Sequence, residues 1–172
     1  MSEVPPLPPG FTLDEREPRK SDRRAKALPP PPAGFSLDKP TGEAVDGDTL
    51  RLENHGSLRL WGVDAPELKQ QGWDRAGNAV PIGEDSRLSL DTIATADARV
   101  GPVQSVSYGR PVAPVTQDGQ DVGLTMARSG EAEAAPEYLA SNPQRRFDYM
   151  QAERLARQNR LGVRAATFRT WV

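Results

Sequence analysis

The 172-residue chain contains no cysteine. Disulfides, zinc–thiolate sites and cysteine nucleophiles are excluded with it. There is one histidine, His55, set in the turn-like tripeptide Asn54-His55-Gly56. A lone loop histidine is more often a bystander than a catalyst, and a histidine-dependent triad has no second candidate. Apolar runs of membrane-spanning length are absent, as is an apolar signal-peptide core near the N-terminus. A cytoplasmic chain without membrane contact is therefore expected, with secretion by another route left open. Apolar residues make up only 36% of the sequence, and mean hydropathy is -0.64. Part of the chain is accordingly expected to lie outside any packed core. The formal net charge of -2 gives no global attraction to nucleic acid or an anionic membrane.

Charge is distributed unevenly. Residues 42–141 carry 8 Lys/Arg against 16 Asp/Glu, whereas residues 142–172 carry 7 Arg against Asp148 and Glu153. An acidic body suited to cations is joined to a basic end suited to phosphates, although a solvated helix face would give the same count. Residues 1–41 hold 10 of the 17 prolines and a mixed-charge cluster from Arg16 to Lys26. Within them Pro8-Pro9-Gly10-Phe11-Thr12-Leu13-Asp14 returns as Pro32-Ala33-Gly34-Phe35-Ser36-Leu37-Asp38. Prolines keep a chain extended and remove backbone donors, so a disordered, partly polyproline extension is expected. Each repeat copy offers one Phe and one Leu to a protein partner, or serves as linker only.

Strand-like alternation begins near residue 42. Leu50 and Leu52 share one face of Thr49–Glu53, and Leu58 and Leu60 share one face of Ser57–Val63, with Arg59, Trp61 and Val63 opposite. Asn54-His55-Gly56 would join the two as a hairpin. Residues 68–82 lack periodicity and are expected to form a loop. Residues 83–95 carry Ser86, Leu90, Ile93 and Ala94 on one helical stripe. Val100–Ser107 and Pro111–Thr116 are expected strands around a bend at Tyr108-Gly109-Arg110. Asp121–Ser129 is an expected short helix ended by Gly130. Asn142-Pro143 has the form of an N-cap and first helical position, opening a helix that presents Tyr149, Ala152, Glu153 and Ala156 on one stripe. The order suits an α+β domain, mainly β, built on a small five-stranded barrel with about three helices.

Three runs carry chemistry: Asp46-Gly47-Asp48-Thr49, then Arg59-Leu60-Trp61-Gly62-Val63-Asp64-Ala65-Pro66-Glu67, then Tyr108-Gly109-Arg110. Asp46, Asp48, Asp64 and Glu67 supply the hard oxygen ligands that calcium or magnesium prefers. Gly47 allows a tight turn, and Pro66 biases Ala65 to an extended conformation from which its carbonyl could face a metal. Taken singly, Asp-Gly is an ordinary turn and Asp-Ala-Pro-Glu an ordinary strand exit. Two arginines add guanidinium forks suited to the equatorial oxygens of a phosphodiester under attack. A glutamate can orient or deprotonate the water. Arg59 and Asp64 stand five residues apart, which on a flat strand puts them on opposite faces. Convergence requires a twist or bulge, with Gly62 the expected place.

These runs resemble the staphylococcal nuclease (thermonuclease) family. So do the continuation Pro111-Val112-Ala113 after Arg110, and Tyr149, Ala152-Glu153 and Ala156-Arg157 on the last helix. The resemblance covers about residues 42–165, leaving 1–41 as the extension and 166–172 as a C-terminal tail. It implies a five-stranded OB-fold barrel with three helices and a calcium-dependent endonuclease that cleaves DNA and RNA and leaves 3′-phosphates. Matched by motif, Asp48, Asp64 and the Ala65 carbonyl would hold Ca2+. Glu67 would be the general base. Arg59 and Arg110 would grip the scissile phosphate. Tyr108 would lie beside the phosphates, and Asp46 would support the metal loop.

The sequence also departs from the family. The stretch before Asp46 is short and broken by Gly42. The loop 68–82 is poor in basic residues. Glu131-Ala132-Glu133-Ala134-Ala135 is acidic where base-facing aromatics are common, with Tyr138 standing in as a substrate contact. Gly162-Val163-Arg164 replaces the usual Gly-Leu-Trp ending. The alternative is a catalytically weak OB module that binds nucleic acid or a protein within a larger assembly. A targeting role with the proline-rich repeat as the working element is a third reading. The expected catalytic form is a monomer.

Overall fold

The computed structural model describes residues 40–53 and 56–166. The proline-rich repeat, His55 and the tail beyond Ala166 lie outside the described residues. Among the described residues, twelve strands and three helices follow in chain order. The first four strands are β1 (Pro40–Asp46), β2 (Thr49–Leu52), β3 (Ser57–Leu60) and β4 (Val63–Asp64). A small hairpin of β5 (Gly72–Trp73) and β6 (Ala79–Val80) leads into α1 (Ile82–Ile93). Then come β7 (Arg99–Val100), β8 (Ser105–Ser107), β9 (Arg110–Ala113), β10 (Val115–Gln117) and β11 (Gln120–Asp121). The chain continues through α2 (Val122–Ser129), β12 (Glu133–Ala134), α3 (Pro143–Asn159) and a 3-10 turn at Gly162–Ala165.

The main sheet has five strands in the order β1-β2-β3-β9-β8, and its ladder is not closed on itself among the described residues. β3 and β9 run parallel and the other neighbours antiparallel. This is the α+β, OB-fold-like arrangement with three helices that the pattern of elements leads one to expect. Leu50, Leu52, Leu58 and Leu60 are fully buried, so the alternation in β2 and β3 does face the core. They pack with Leu90 of α1, Val122 and Met126 of α2, and Tyr149 and Ala152 of α3 in one cluster.

Local chemistry explains the element ends. Asp121 caps α2 by accepting from the Leu124 N–H, and Gly130 closes the helix in the left-handed region at φ 81°. Asn142 caps α3 by accepting from the Arg145 N–H, with Pro143 at the start of the helix. Tyr108 and Gly109 both have positive φ, 49° and 77°, and form the two-residue turn between β8 and β9.

Three expectations need correction. Residues 68–82 are not simply a loop. Asp74 accepts from the Ala76 and Asn78 N–H groups and folds the β5–β6 hairpin over Gly77, a side-chain turn that periodicity does not register. The strands expected over 100–107 and 111–116 each break in two, after Val100 and around Pro114, where the ring denies a ladder donor. Trp61 and Val63 are buried, although alternation places them on the face opposite Leu58 and Leu60. β3 stops at Leu60, the chain turns through Trp61-Gly62 with Gly62 at φ 92°, and β4 resumes with its side chains rotated.

A Cβ on Gly62 would stand 2.7 Å from Leu139 Cδ2. Gly62→Ala therefore meets both backbone strain and a packing conflict. It is expected to lower unfolding stability by about 1–3 kcal/mol in urea denaturation. A variant as stable as the parent would show that the left-handed turn at Gly62 costs an ordinary residue nothing.

Candidate active site

The turn at Trp61-Gly62 supplies the convergence that a flat strand forbids. Arg59 Nη2 contacts Asp64 Oδ1 and also lies 2.8 Å from Asp48 Oδ2. A carboxylate from the β1–β2 turn and one from β4 thus meet at one cationic nitrogen. Asp48 is only 3% exposed. Its Oδ2 also accepts from the Ala65 N–H at 3.2 Å, and its Oδ1 accepts from the Thr49 hydroxyl at 3.0 Å. Asp46 Oδ1 accepts from the Asp48 N–H at 3.1 Å, which fixes the turn between β1 and β2.

Gly47 is needed for a different reason than a tight turn. Its φ is not positive, but a Cβ there would lie 2.0 Å from Ser86 Oγ and 2.7 Å from the Ala65 Cβ. The Asp46–Asp48 turn is pressed onto α1 and onto the strand exit that carries Asp64. Ser86 is fully buried, and its hydroxyl donates to the Glu131 carbonyl at 2.8 Å.

The remaining residues arrive from two other places. Arg110 opens β9, and its Nη1 donates to Thr49 Oγ at 3.1 Å. Glu67 is held by its backbone. Its carbonyl accepts from the Gln70 N–H at 2.7 Å, and a Cβ on Gly83 would lie 1.9 Å from the same oxygen. The Glu67 side chain is exposed and makes no hydrogen bond or ion pair with a described residue.

Asp46, Asp48, Arg59, Asp64, Ala65, Pro66, Glu67 and Arg110 line one pocket of about 70 Å³. Seven of the nine candidate residues are therefore together. Tyr108 and Tyr138 are not in the lining. Tyr108 is 97% exposed on the turn preceding Arg110. Tyr138 is 44% exposed, and its backbone carbonyl accepts from the Trp61 indole N–H at 2.8 Å. Thr49, which joins Asp48 to Arg110, was not among the candidates; its place directly after Asp48 was the only signal. A larger cavity of about 350 Å³ lies elsewhere, lined by residues that include Asp74, Ile82, Asp85 and Glu131. Its described lining has no arginine or lysine to receive a phosphate, and a shallower one of about 540 Å³ sets Arg75 and Arg160 beside Asp74 alone. The smaller pocket joins two arginines to four carboxylates and is the candidate site.

Burial dominates the electrostatics. It pushes Asp48 up to about 7, and the opposing pull of Arg59 does not compensate. Burial also works against the charge on Arg59, but Asp48 and Asp64 outweigh it and hold the guanidinium above its ordinary range.

The donor set can be tested against calcium. Among the described residues no three acidic or imidazole groups close on one point. Asp48 and Asp64 alone already converge on a single positive nitrogen. Two carboxylates with a neighbouring backbone carbonyl fit a hard cation that keeps water in its remaining positions. Asp48 and Asp64 are the carboxylates of this chain that such an ion could use.

The fold and pocket define an OB-fold-like α+β domain with an acid-and-arginine site at its strand ends. The model of the family described as staphylococcal nuclease homologues matches residues 57–165, and the chain belongs to that family. No curated protein matches the chain.

The raised Asp48 value has a stability consequence. Unfolded, this carboxyl ionises near 3.8; folded, it does so near 7. Between the two, the folded state binds more protons, so stability falls as pH rises through that window. Asp48→Asn removes this cost. In chelator above pH 7 the variant is expected to be more stable than the parent by about 2 kcal/mol, with the difference vanishing below pH ~4. Urea denaturation at pH 4 and pH 8 checks it, and a variant less stable at pH 8 contradicts the assignment.

Proposed function

We propose that the protein is a calcium-dependent endonuclease that hydrolyses phosphodiester bonds of DNA and RNA and leaves 3′-phosphates. The observation that supports this most is the lining of one pocket by Asp48, Asp64, Glu67, Arg59 and Arg110. Each half of that set has ordinary structural uses alone. Their enclosure of one space with room for about two waters matches a site that closes on a phosphate and leaves the bases outside.

Asp48, Asp64 and the Ala65 carbonyl would hold the calcium, with Asp46 supporting the loop. When bound, the ion supplies Lewis-acid polarisation of a phosphate oxygen and offsets the negative charge of the site. Glu67, backbone-anchored and with an unengaged carboxylate, takes a proton from the attacking water. The hydroxyl adds to phosphorus in line with the 5′-oxygen. The P–O5′ bond breaks, the 5′-oxygen gains a proton from solvent, and the phosphate stays on the 3′ side. Arg110 and Arg59 donate to the equatorial oxygens, where charge accumulates in the transition state. Arg59 needs only to redirect N–H groups that already face the pocket. Tyr108 lies beside the phosphates of the substrate, and Tyr138 is a further substrate contact.

Single-stranded DNA and RNA should be degraded in calcium and spared in chelator. Glu67→Gln is expected to lower kcat by at least about 10²-fold, the scale of lost general-base catalysis. Arg110→Ala is expected to lose about 10²–10³-fold, the scale of a lost transition-state donor. Degradation that survives chelation, or that persists unchanged in both variants, sinks the mechanism. Rising salt should raise KM more than it lowers kcat, because phosphate contacts release counterions.

A further inference from the structure

We propose that Trp61 is a positioning residue for substrate: its indole N–H fixes the backbone that presents Tyr138 beside the strand that carries Asp64. The inference rests on the nuclease reading above and adds to it a residue that touches neither the metal site nor the phosphate.

Trp61 follows β3 directly and is 6% exposed. Its backbone N–H donates to the Ala113 carbonyl at 3.0 Å, tying it to the end of β9. Its Nε1–H donates to the Tyr138 carbonyl at 2.8 Å, across 77 residues of sequence. A buried indole needs such an acceptor, and this one lies in the segment that follows β12, the partner strand of β4. That segment is strapped down at several points. β12 pairs with β4 in the register Glu133 to Asp64, the Ala135 N–H donates to the Gly62 carbonyl at 2.9 Å, and Leu139 packs over Gly62. The Tyr138 N–H folds back on the Ala135 carbonyl at 3.1 Å. Tyr138 is therefore backbone-fixed on both sides, in the segment that runs beside β4 and Asp64, while its side chain stays 44% exposed. A half-exposed phenol ring held beside the strand that carries a site carboxylate suits stacking with a nucleobase.

The indole is itself held in place. Arg145 of α3 lies over the Trp61 ring, 4.7 Å from its centroid, and over the Tyr149 ring at 5.0 Å. Arg145 Nη2 reaches Asp121 Oδ2 at 2.5 Å and donates to the Tyr149 hydroxyl at 2.8 Å. That hydroxyl donates to Asp121 Oδ1 at 2.8 Å, and the same oxygen caps α2. A carboxylate, a phenol and a guanidinium thus clamp the ring from the helical side. The outward N–H is left to the substrate rim.

The test compares Trp61→Phe, Tyr138→Ala and the double variant on a single-stranded DNA oligonucleotide in calcium. Trp61→Phe keeps an aromatic ring and removes the N–H. KM should rise about fivefold, the value of one hydrogen bond, with kcat within about twofold. Tyr138→Ala should raise KM by a similar or larger factor, and the double variant should be no worse than Tyr138→Ala, because both changes act through one contact. Anisotropy binding of the labelled oligonucleotide in the Glu67→Gln background should show the same pattern without turnover. Unchanged KM and binding in Trp61→Phe, or full additivity in the double variant, overturns the proposal. So does a loss of urea stability in Trp61→Phe with no change in binding, which would make the residue structural only. Failure of the nuclease reading looks different: the parent chain itself would not cleave, while the binding series would still report on Trp61.

Discussion

The bridge from Arg59 to both Asp48 and Asp64 is the interaction on which the site depends. A carboxylate as buried as Asp48 costs several kcal/mol if left without a partner. The Ala65 N–H and the Thr49 hydroxyl share the load, but both are neutral donors. Arg59 alone brings opposite charge, and even so the Asp48 carboxyl remains well above the ordinary range. The protein therefore carries a carboxylate that the fold by itself does not favour. Such a group is rarely retained for stability. A second cation, arriving between Asp48 and Asp64, would relieve the same cost and release Arg59 toward a phosphate. Destabilisation and function are then two sides of one arrangement.

Everything near the bridge is shaped to bring it about. Gly62 breaks the strand in the left-handed region so that Asp64 turns to Arg59's side. Gly47 lets the Asp46–Asp48 turn press onto Ser86 and Ala65. Gly83 lets α1 rest on the Glu67 carbonyl. In each case a missing Cβ permits a close approach, and the three contacts position three carboxylates. The helices are thus part of the site: α1 supports two acidic segments from beneath. α3, through Arg145 and Trp61, steadies the segment above.

Much of this was legible in the sequence because it is local. The Leu alternation of β2 and β3, the helix stop at Gly130, the cap at Asn142 and the turn before Arg110 are decided within a few residues. The need for a break near Gly62 followed from the odd spacing of Arg59 and Asp64. What escaped was chemistry between distant segments. The β5–β6 hairpin rests on the Asp74 side chain acting on its own backbone, which leaves no hydrophobic period. The burial of Trp61 depends on Tyr138 and Arg145, more than 70 residues away. Gly47 looked like a turn glycine because its real partner, Ser86, lies on a helix. Thr49 was passed over because a threonine at a strand start is ordinary. Only the structure shows its hydroxyl shared between Asp48 and Arg110.

The remaining question is how a polyanion approaches a body whose residues 42–141 carry 16 acids against 8 bases. Salt confines the field of exposed charges to about 8 Å under physiological conditions, so the local sign matters more than the total. Inside the pocket, Asp48 and Asp64 are already opposed by Arg59, with Arg110 beside them. Several surface acids are likewise internally paired: Glu84 and Asp91 with Arg87, and Glu153 with Arg157. On α3 and at its C-terminal cap, Arg146, Arg154 and Arg160 are exposed. Arg157 reaches toward Glu133, the register partner of Asp64, so the basic helix borders the strand that carries the site. The acidic excess is in this way neutralised at short range near the pocket. A strand of nucleic acid following α3 would meet positive charge before it meets the carboxylates, and a bound cation between them would lower the remaining repulsion.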